Sequence, residues 1–298
     1  PKEDRKIHKK PISSIGGILI LSNLFFFYFL NFFYDTNIFL GLDGDRSLIN
    51  LFVIGTLICF FGLYDDKFGI SPINKFIILV LLIYISLILD PSLILKKLNF
   101  NNFSIQIDHF SIFFTILCFV IFLNAFNMFD GINGQSGLYS LFILIFLLSK
   151  AQSIFSIYIG ISLISFLYLN LNNKTFLGDN GSYLLSYLLS CLIIKTYNNP
   201  NFLMTVEEIF LIMIYPGLDL IRLFFLRTIK GKHPFFPDNT HIHHIILKKT
   251  KSQLITLIIN ISSLSLPIII YFVLDNVYFS IFIAMLIYLF NFVYFNRK

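Results

Sequence analysis

The sequence predicts an all-α polytopic integral membrane protein with about ten transmembrane helices. Composition is the first observation behind this reading. The 298 residues are 57% hydrophobic and 13% charged, with a mean hydropathy of +0.82, where a soluble domain runs nearer a quarter charged. The second is the length of the apolar runs, many of which approach the ~20 residues needed to cross the hydrocarbon core. The third is that polar residues gather in short clusters at the ends of those runs. The formal charge of +6 fits basic loops on a membrane protein better than a nucleic-acid surface. Cys59, Cys118 and Cys191 lie far apart inside apolar runs, which offers neither a disulfide framework nor a metal spacing.

Along the chain, the opening PKEDRKIHKK is polar and has no signal-peptide apolar core. Because residue 1 is Pro and not Met, the chain is expected to be a fragment or processed form whose true beginning is missing. Spans are expected at 15–34, 47–64, 73–89, 111–128, 136–149, 153–171, 183–197, 207–226, 253–274 and 278–295. Residues 94–108 alternate polar and apolar side chains around Asn101–Asn102, which predicts a small hairpin outside the membrane. Alternation places 1–14, 65–72, 129–135, 172–182, 227–252 and 296–298 on one face. That face and the helix ends bordering it carry 17 of the 22 Lys and Arg residues. The excess makes it cytoplasmic and leaves the hairpin extracytoplasmic.

The polar clusters all fall on that face: RKIHKKPISSIGG (5–17), GLYDDKFGISP (62–72), NAFNMFDGING (124–134), FLGDNGS (176–182) and GKHPFFPDNTHIHH (231–244). Asp65, Asp66, Asp130 and Asp179 are hard oxygen ligands at helix ends, suited to Mg²⁺, which binds one or two carboxylates together with substrate phosphates. Gly178, Gly181 and Ser182 open a helix whose N-terminus favours phosphate. His241, His243 and His244, with Arg227, Lys230 and Lys232 upstream, add groups able to hold a diphosphate. Taken singly, an Asp-Asp pair is a solvated loop, FLGDNGS a turn with an N-cap, and His-x-His-His a zinc site. Together on one membrane face they point to phosphoryl transfer involving a lipid.

The same residues resemble the polyprenyl-phosphate N-acetylhexosamine-1-phosphate transferases of glycosyltransferase family 4. The family's Arg-Lys-x-His and Gly-Gly elements are matched by Arg5, Lys6, His8, Gly16 and Gly17, and its Asp-Asp pair by Asp65 and Asp66. Asn124, Ala125, Asn127, Asp130 and Gly131 match its Asn-Ala-x-Asn-x-x-Asp-Gly element. Phe176, Gly178, Asp179, Gly181 and Ser182 match the next element. Pro234, Phe235, Asp238, His241, Ile242, His243 and His244 match its long loop. The His-Ile-His-His ending resembles the WecA and TagO branch rather than the MraY branch, which acts on a peptide-bearing sugar.

The resemblance implies one membrane-embedded transferase domain over 1–298, with a first span missing before residue 1 and with 227–252 as its His-containing cytoplasmic loop. A UDP-N-acetylhexosamine would give its sugar-1-phosphate to undecaprenyl phosphate, releasing UMP, with Mg²⁺ as cofactor. The setting would be a bacterial inner membrane and a cell-envelope glycan pathway such as O-antigen synthesis; no nucleic-acid partner is implied, and family precedent allows a homodimer. Carried over by position, Asp179 is the metal ligand, and Asp65 and Asp66 face the lipid phosphate. Asn127 and Asp130 position the nucleotide and diphosphate, and His241, His243 and His244 bind phosphate or sugar. Lys6 and His8 contribute from the first loop, and Asn170 lies near a family Asn at a spacing one residue short.

Two positions depart from the pattern. Asn133 stands where a second acid is usual, keeping a hydrogen bond but losing a charge, so a ribose or uracil contact is expected there. Gly69 replaces an acid beyond the Asp-Asp pair. A transporter is the competing class, and charge near the midplane of broken helices would mark it. Only Asp219 and Arg222 interrupt the central span residues, at a spacing that lets them pair.

Overall fold

The computed structural model describes residues 13–34, 45–151, 153–201, 204–231 and 240–296. Eleven α-helices and one β-hairpin form among them. In chain order these are α1 (Gly16–Tyr34), α2 (Asp45–Phe68), α3 (Pro72–Leu89), β1 (Lys97–Asn99), β2 (Ser104–Gln106), α4 (Ser111–Phe129), α5 (Gln135–Lys150), α6 (Ile154–Leu171), α7 (Gly178–Asn198), α8 (Val206–Ile229), α9 (Ile242–Thr250), α10 (Gln253–Leu274) and α11 (Val277–Asn296). A helix overlies each expected span. Seven of them, α2, α3, α4, α6, α8, α10 and α11, are long and apolar enough to cross a membrane. The chain is therefore a mostly helical, multi-pass membrane protein. Side chains such as Phe60, Phe113 and Val273 stay more than half exposed on the outside of the bundle, where lipid rather than water is the solvent.

Local sequence sets the helix starts. Ser71 accepts the Asn74 N–H ahead of Pro72, so α3 begins with a side-chain cap and a Pro that loses no hydrogen bond. Thr205 and Glu208 form a reciprocal capping box at α8. The expected hairpin is present, with Leu98 opposite Ile105 in an antiparallel ladder.

Two regions differ from the sequence reading. Helix α7 starts five residues ahead of the expected span at 183, because its first turn is capped by a side chain from α2. It is also the most enclosed helix, packed among α1, α2, α4 and α5, with nearly every residue from Asn180 to Tyr197 buried. Ser182, Ser186 and Ser190 recur along it, and small residues let neighbouring backbones approach. Gly17 and Gly62 allow the closest approaches. A Cβ on Gly62 would lie 2.3 Å from the Asn180 Cα, and one on Gly17 2.2 Å from the Asn180 side-chain oxygen. Being sheathed in protein, α7 needs little hydropathy of its own. The second difference is α9, a helix within the expected loop 227–252. Ile242, His243 and Ile246 are buried on one side of it while Lys248 and Lys249 end it in solvent.

Candidate active site

Helix geometry brings three of the five polar clusters together at one end of the bundle. Asp65 and Asp66 lie in the last turn of α2, Asn127 in the last turn of α4, Asp130 just beyond it, and Asp179 in the first turn of α7. Asn127 Nδ2 donates to Asp179 Oδ1 at 2.8 Å and to Ser182 Oγ at 2.8 Å, fastening α4 to α7. Asp66 Oδ1 accepts the Asp179 N–H at 3.1 Å, and Asp66 Oδ2 accepts from Asn180 Nδ2 at 2.8 Å. The phosphate-friendly N-terminus expected at Gly178–Ser182 thus already holds an anion, the carboxylate of Asp66. A carboxylate satisfies the free N–H groups and the dipole as a phosphate would.

Asp65 faces the other way. It is buried, accepts the Ile70 N–H at 2.7 Å and forms an ion pair with Lys75. The Lys75 ammonium also lies 3.4 Å from Asp179 Oδ2. In the sequence Lys75 reads as one of the 17 topology-setting cations on this face. A signal was available: Lys75 sits in the first turn of α3, where the helix dipole disfavours a cation, so a specific anionic partner is required. Asp65 and Asp179 both reach this one cationic atom.

Asp130 keeps some exposed surface but is closely surrounded by protein. Burial pushes its carboxyl up to about 7, the charges of Asp179 and Asp66 act the same way, and the Ser136 hydroxyl opposes them. The sign of the resulting pH dependence follows. An Asp unperturbed at 3.8 that holds its proton to about 7 in the fold binds more protons folded than unfolded across that window. Its contribution to stability is complete below about 4, falls as pH rises, and is gone above about 7. Melting temperature should therefore decline across this range by a component that Asp130→Asn removes. Parallel thermal melts of both proteins from pH 4 to 8 check this, and identical slopes would refute it.

The His cluster joins the acidic cluster through Gly131. A Cβ on Gly131 would lie 1.9 Å from His243 Nε2, so only glycine lets this backbone lie against the ring. His243 is buried, its Nδ1 has no hydrogen-bond partner among the described residues, and burial with its neighbours His244 and His241 holds it well below the usual imidazole range. The rings of His243 and His244 are 4.2 Å apart between centroids. His241 is held from behind: its Nδ1 lies 2.9 Å from Asp219 Oδ2, and Arg222 and Tyr288 converge on the same carboxylate. Asp219 and Arg222 do pair, as a buried support for the His segment.

Asn170 and Asn133 stand behind the acidic cluster. Asn170 is buried, accepts the Gly134 N–H at 2.6 Å and donates to the Thr175 carbonyl at 2.8 Å, so its amide positions two loops. Asn133 donates to Asn173 at 2.8 Å. Lys6 and His8, with Pro234, Phe235 and Asp238, lie outside the described residues. The segment that follows Lys6 and His8 is nevertheless tied to the site, because Ser13 bridges Thr175 and the Gly16 N–H donates to Phe176.

Among the described residues no three His, Cys, Asp or Glu are grouped to hold a metal ion, so a zinc site at the three histidines has no geometric support. Asp65 and Asp179 are hard oxygen donors of the kind a divalent ion such as Mg²⁺ takes together with water and phosphate, and in this structure the Lys75 ammonium contacts both of them.

The sequence model of Glycosyl transferase family 4 matches residues 48–197. The chain belongs to this family. The family match contains Asp65, Asp66, Lys75, Asn127, Asp130, Asn133, Asn170 and Asp179; the His segment lies beyond it. Among curated relatives, the undecaprenyl-phosphate alpha-N-acetylglucosaminyl 1-phosphate transferase of Salmonella typhi is 26% identical over 258 residues, 82% of this chain and 67% of the relative. The protein of that name in Escherichia coli K12 is 25% identical over 263 residues, with the same two coverages. That of Haemophilus influenzae is 30% identical over 147 residues, 45% of this chain and 40% of the relative.

Proposed function

We propose that this glycosyl transferase family 4 member moves an N-acetylhexosamine-1-phosphate from a UDP-sugar to undecaprenyl phosphate. UMP and a lipid-diphosphate-sugar are the products. The observation that carries the proposal is the meeting of Asp65, Asp66, Asp130 and Asp179 with Asn127 and Lys75 at one end of a membrane bundle. The names of the relatives support the lipid acceptor and make N-acetylglucosamine the first sugar to test. The ten helices overlying the expected spans and the Lys/Arg excess at the site end support ten crossings with the site facing the cytoplasm of a bacterial inner membrane.

In this reading an oxygen of the lipid phosphate attacks the sugar-bearing phosphorus of the donor. The bridging P–O bond of the diphosphate breaks, and UMP leaves with that oxygen. A phosphate monoester has its second pKa near 6, so the attacking group is already largely dianionic at neutral pH and no covalent intermediate is needed. The protein's task is positioning and charge neutralisation. Mg²⁺, when bound, supplies the larger part of that neutralisation, and Asp179 with Asp65 would hold it. Lys75 brings a fixed positive charge between those two carboxylates. Asp66 caps α7 and sets the position of Asp179, Asn127 holds the Asp179 carboxylate in orientation, and His243 and His244 reach the site beside Gly131.

The test is UMP release by the full-length protein in detergent, supplied with undecaprenyl phosphate and a panel of UDP-sugars, with Mg²⁺ or with EDTA. Lipid-dependent release from one N-acetylhexosamine donor, abolished by EDTA, is expected. Release that ignores the lipid, or full activity in EDTA, would overturn the acceptor or the metal assignment respectively.

A further inference from the structure

A second polar cleft, of about 1020 Å³, opens at the other end of the bundle. It lies between the β1–β2 hairpin, the turn at Pro91–Leu93 and the described residues after α7, Asn199, Pro200, Asn201, Met204 and Thr205. Asp179 and Lys195 mark the two ends of α7, sixteen residues apart in sequence. At 1.5 Å per residue that is roughly 24 Å, so the cleft and the acidic site lie at opposite ends of the bundle.

Among the described residues, three lysines line the cleft and no carboxylate does. Lys195 is neutralised where it stands: its Nζ lies 2.9 Å from Asp90 Oδ2, 2.6 Å from Ser47 Oγ and 2.8 Å from Ser92 Oγ. Lys150, another cation at this end, pairs with Glu208. Lys96 and Lys97 are exposed on the hairpin and have no acidic partner among the described residues. They belong to the minority of five Lys and Arg residues on a face otherwise poor in positive charge. Around them stand amide side chains, Asn99, Asn101, Asn198 and Asn201 among them. Amides hydrogen-bond hydroxyl groups, and ammonium groups hold phosphate oxygens.

From this juxtaposition we infer that the hairpin cleft binds a phosphate-bearing, hydroxyl-rich headgroup on the membrane face opposite the acidic site. The Lys96 and Lys97 ammonium groups take the phosphate and the Asn amides take the hydroxyls. A glycerophospholipid headgroup in the bilayer and a soluble glycerol phosphate share this chemistry. The inference does not depend on the transfer reaction.

The test uses the full chain in phosphatidylcholine nanodiscs in three arms: with phosphatidylglycerol in the bilayer, with soluble glycerol 1-phosphate, and with inorganic phosphate. One readout is the rate at which an amine reagent acylates Lys96 and Lys97, followed by peptide mass spectrometry. The other is binding of the radiolabelled probe to the parent and to a Lys96→Gln, Lys97→Gln double variant. Protection of both lysines in at least one arm is expected. The variant should bind that probe about 25-fold more weakly, from roughly fivefold per surface lysine. Protection by phosphatidylglycerol alone identifies a lipid headgroup, and protection by glycerol phosphate a free ligand. Acylation unchanged in all three arms, or equal binding by parent and variant, overturns the inference.

Discussion

Asp179→Asn should lower turnover by about 10²–10³-fold, the scale on which loss of one preorganised electrostatic group slows a reaction, while leaving the bundle folded. The substitution preserves shape and keeps an oxygen that can accept from Asn127 Nδ2, now at 2.8 Å. What it removes is the carboxyl group, pushed up to about 7 by burial and by Asp65, that faces the Lys75 ammonium at 3.4 Å and would face the metal. Because Asp66 caps α7 through backbone N–H and the Asn180 amide, the helix end does not depend on the Asp179 charge. The measurement is UMP release at saturating donor alongside a thermal melt. Turnover within about tenfold of the parent, well short of that scale, would remove Asp179 from the reaction centre. Normal melting with lost turnover is the expected pattern.

Asp219→Ala should cost about 3–5 kcal/mol, the range seen when one partner of a buried charge pair is deleted. The Asp219 carboxylate accepts from Arg222 Nη2 at 2.7 Å, the Tyr288 hydroxyl at 3.0 Å and the Ile242 N–H at 3.2 Å, and contacts His241 Nδ1 at 2.9 Å. Alanine leaves those groups without their shared acceptor. It also frees the N-terminus of α9, so the His segment should lose its position against Gly131. Denaturant or thermal unfolding in detergent reads the stability change, and Asp219→Asn, which retains one acceptor, should fall between the two. An alanine variant as stable as the parent would show that the carboxylate is dispensable to the support.

The site residues most legible in the sequence were those in compact clusters. Asp65, Asp66, Asn127, Asp130 and Asp179 were named from residue type and from their position at the ends of apolar runs. They meet because alternate helices end on one face. Lys75 was missed because a lysine near a helix start reads equally well as a topology signal. Its partner Asp65 is ten residues away in sequence, across a turn, and only the geometry of α2 against α3 decides the pairing. Asn170 and Asn133 could be named but not given a part, since amide side chains serve backbone and ligand alike. Hydropathy starts α7 late, at 183, because its first turn is polar and its cap comes from another helix.

By itself, the sequence determined the class of the molecule, the positions of the apolar helices, the hairpin, and that the acidic clusters fall at the ends of apolar helices. Hydropathy and alternation are sums over local segments, so they survive without knowledge of the fold. Tertiary structure alone decided that Asp66 caps α7 while Asp65 and Asp179 share Lys75, and that Asp219 anchors His241. It also decided that α7 is wrapped in protein rather than lipid, and that Lys96 and Lys97 stand unpaired over a polar cleft. These are contacts between helices distant in sequence. Their energies depend on burial and on distances of a few ångströms, which no local pattern records.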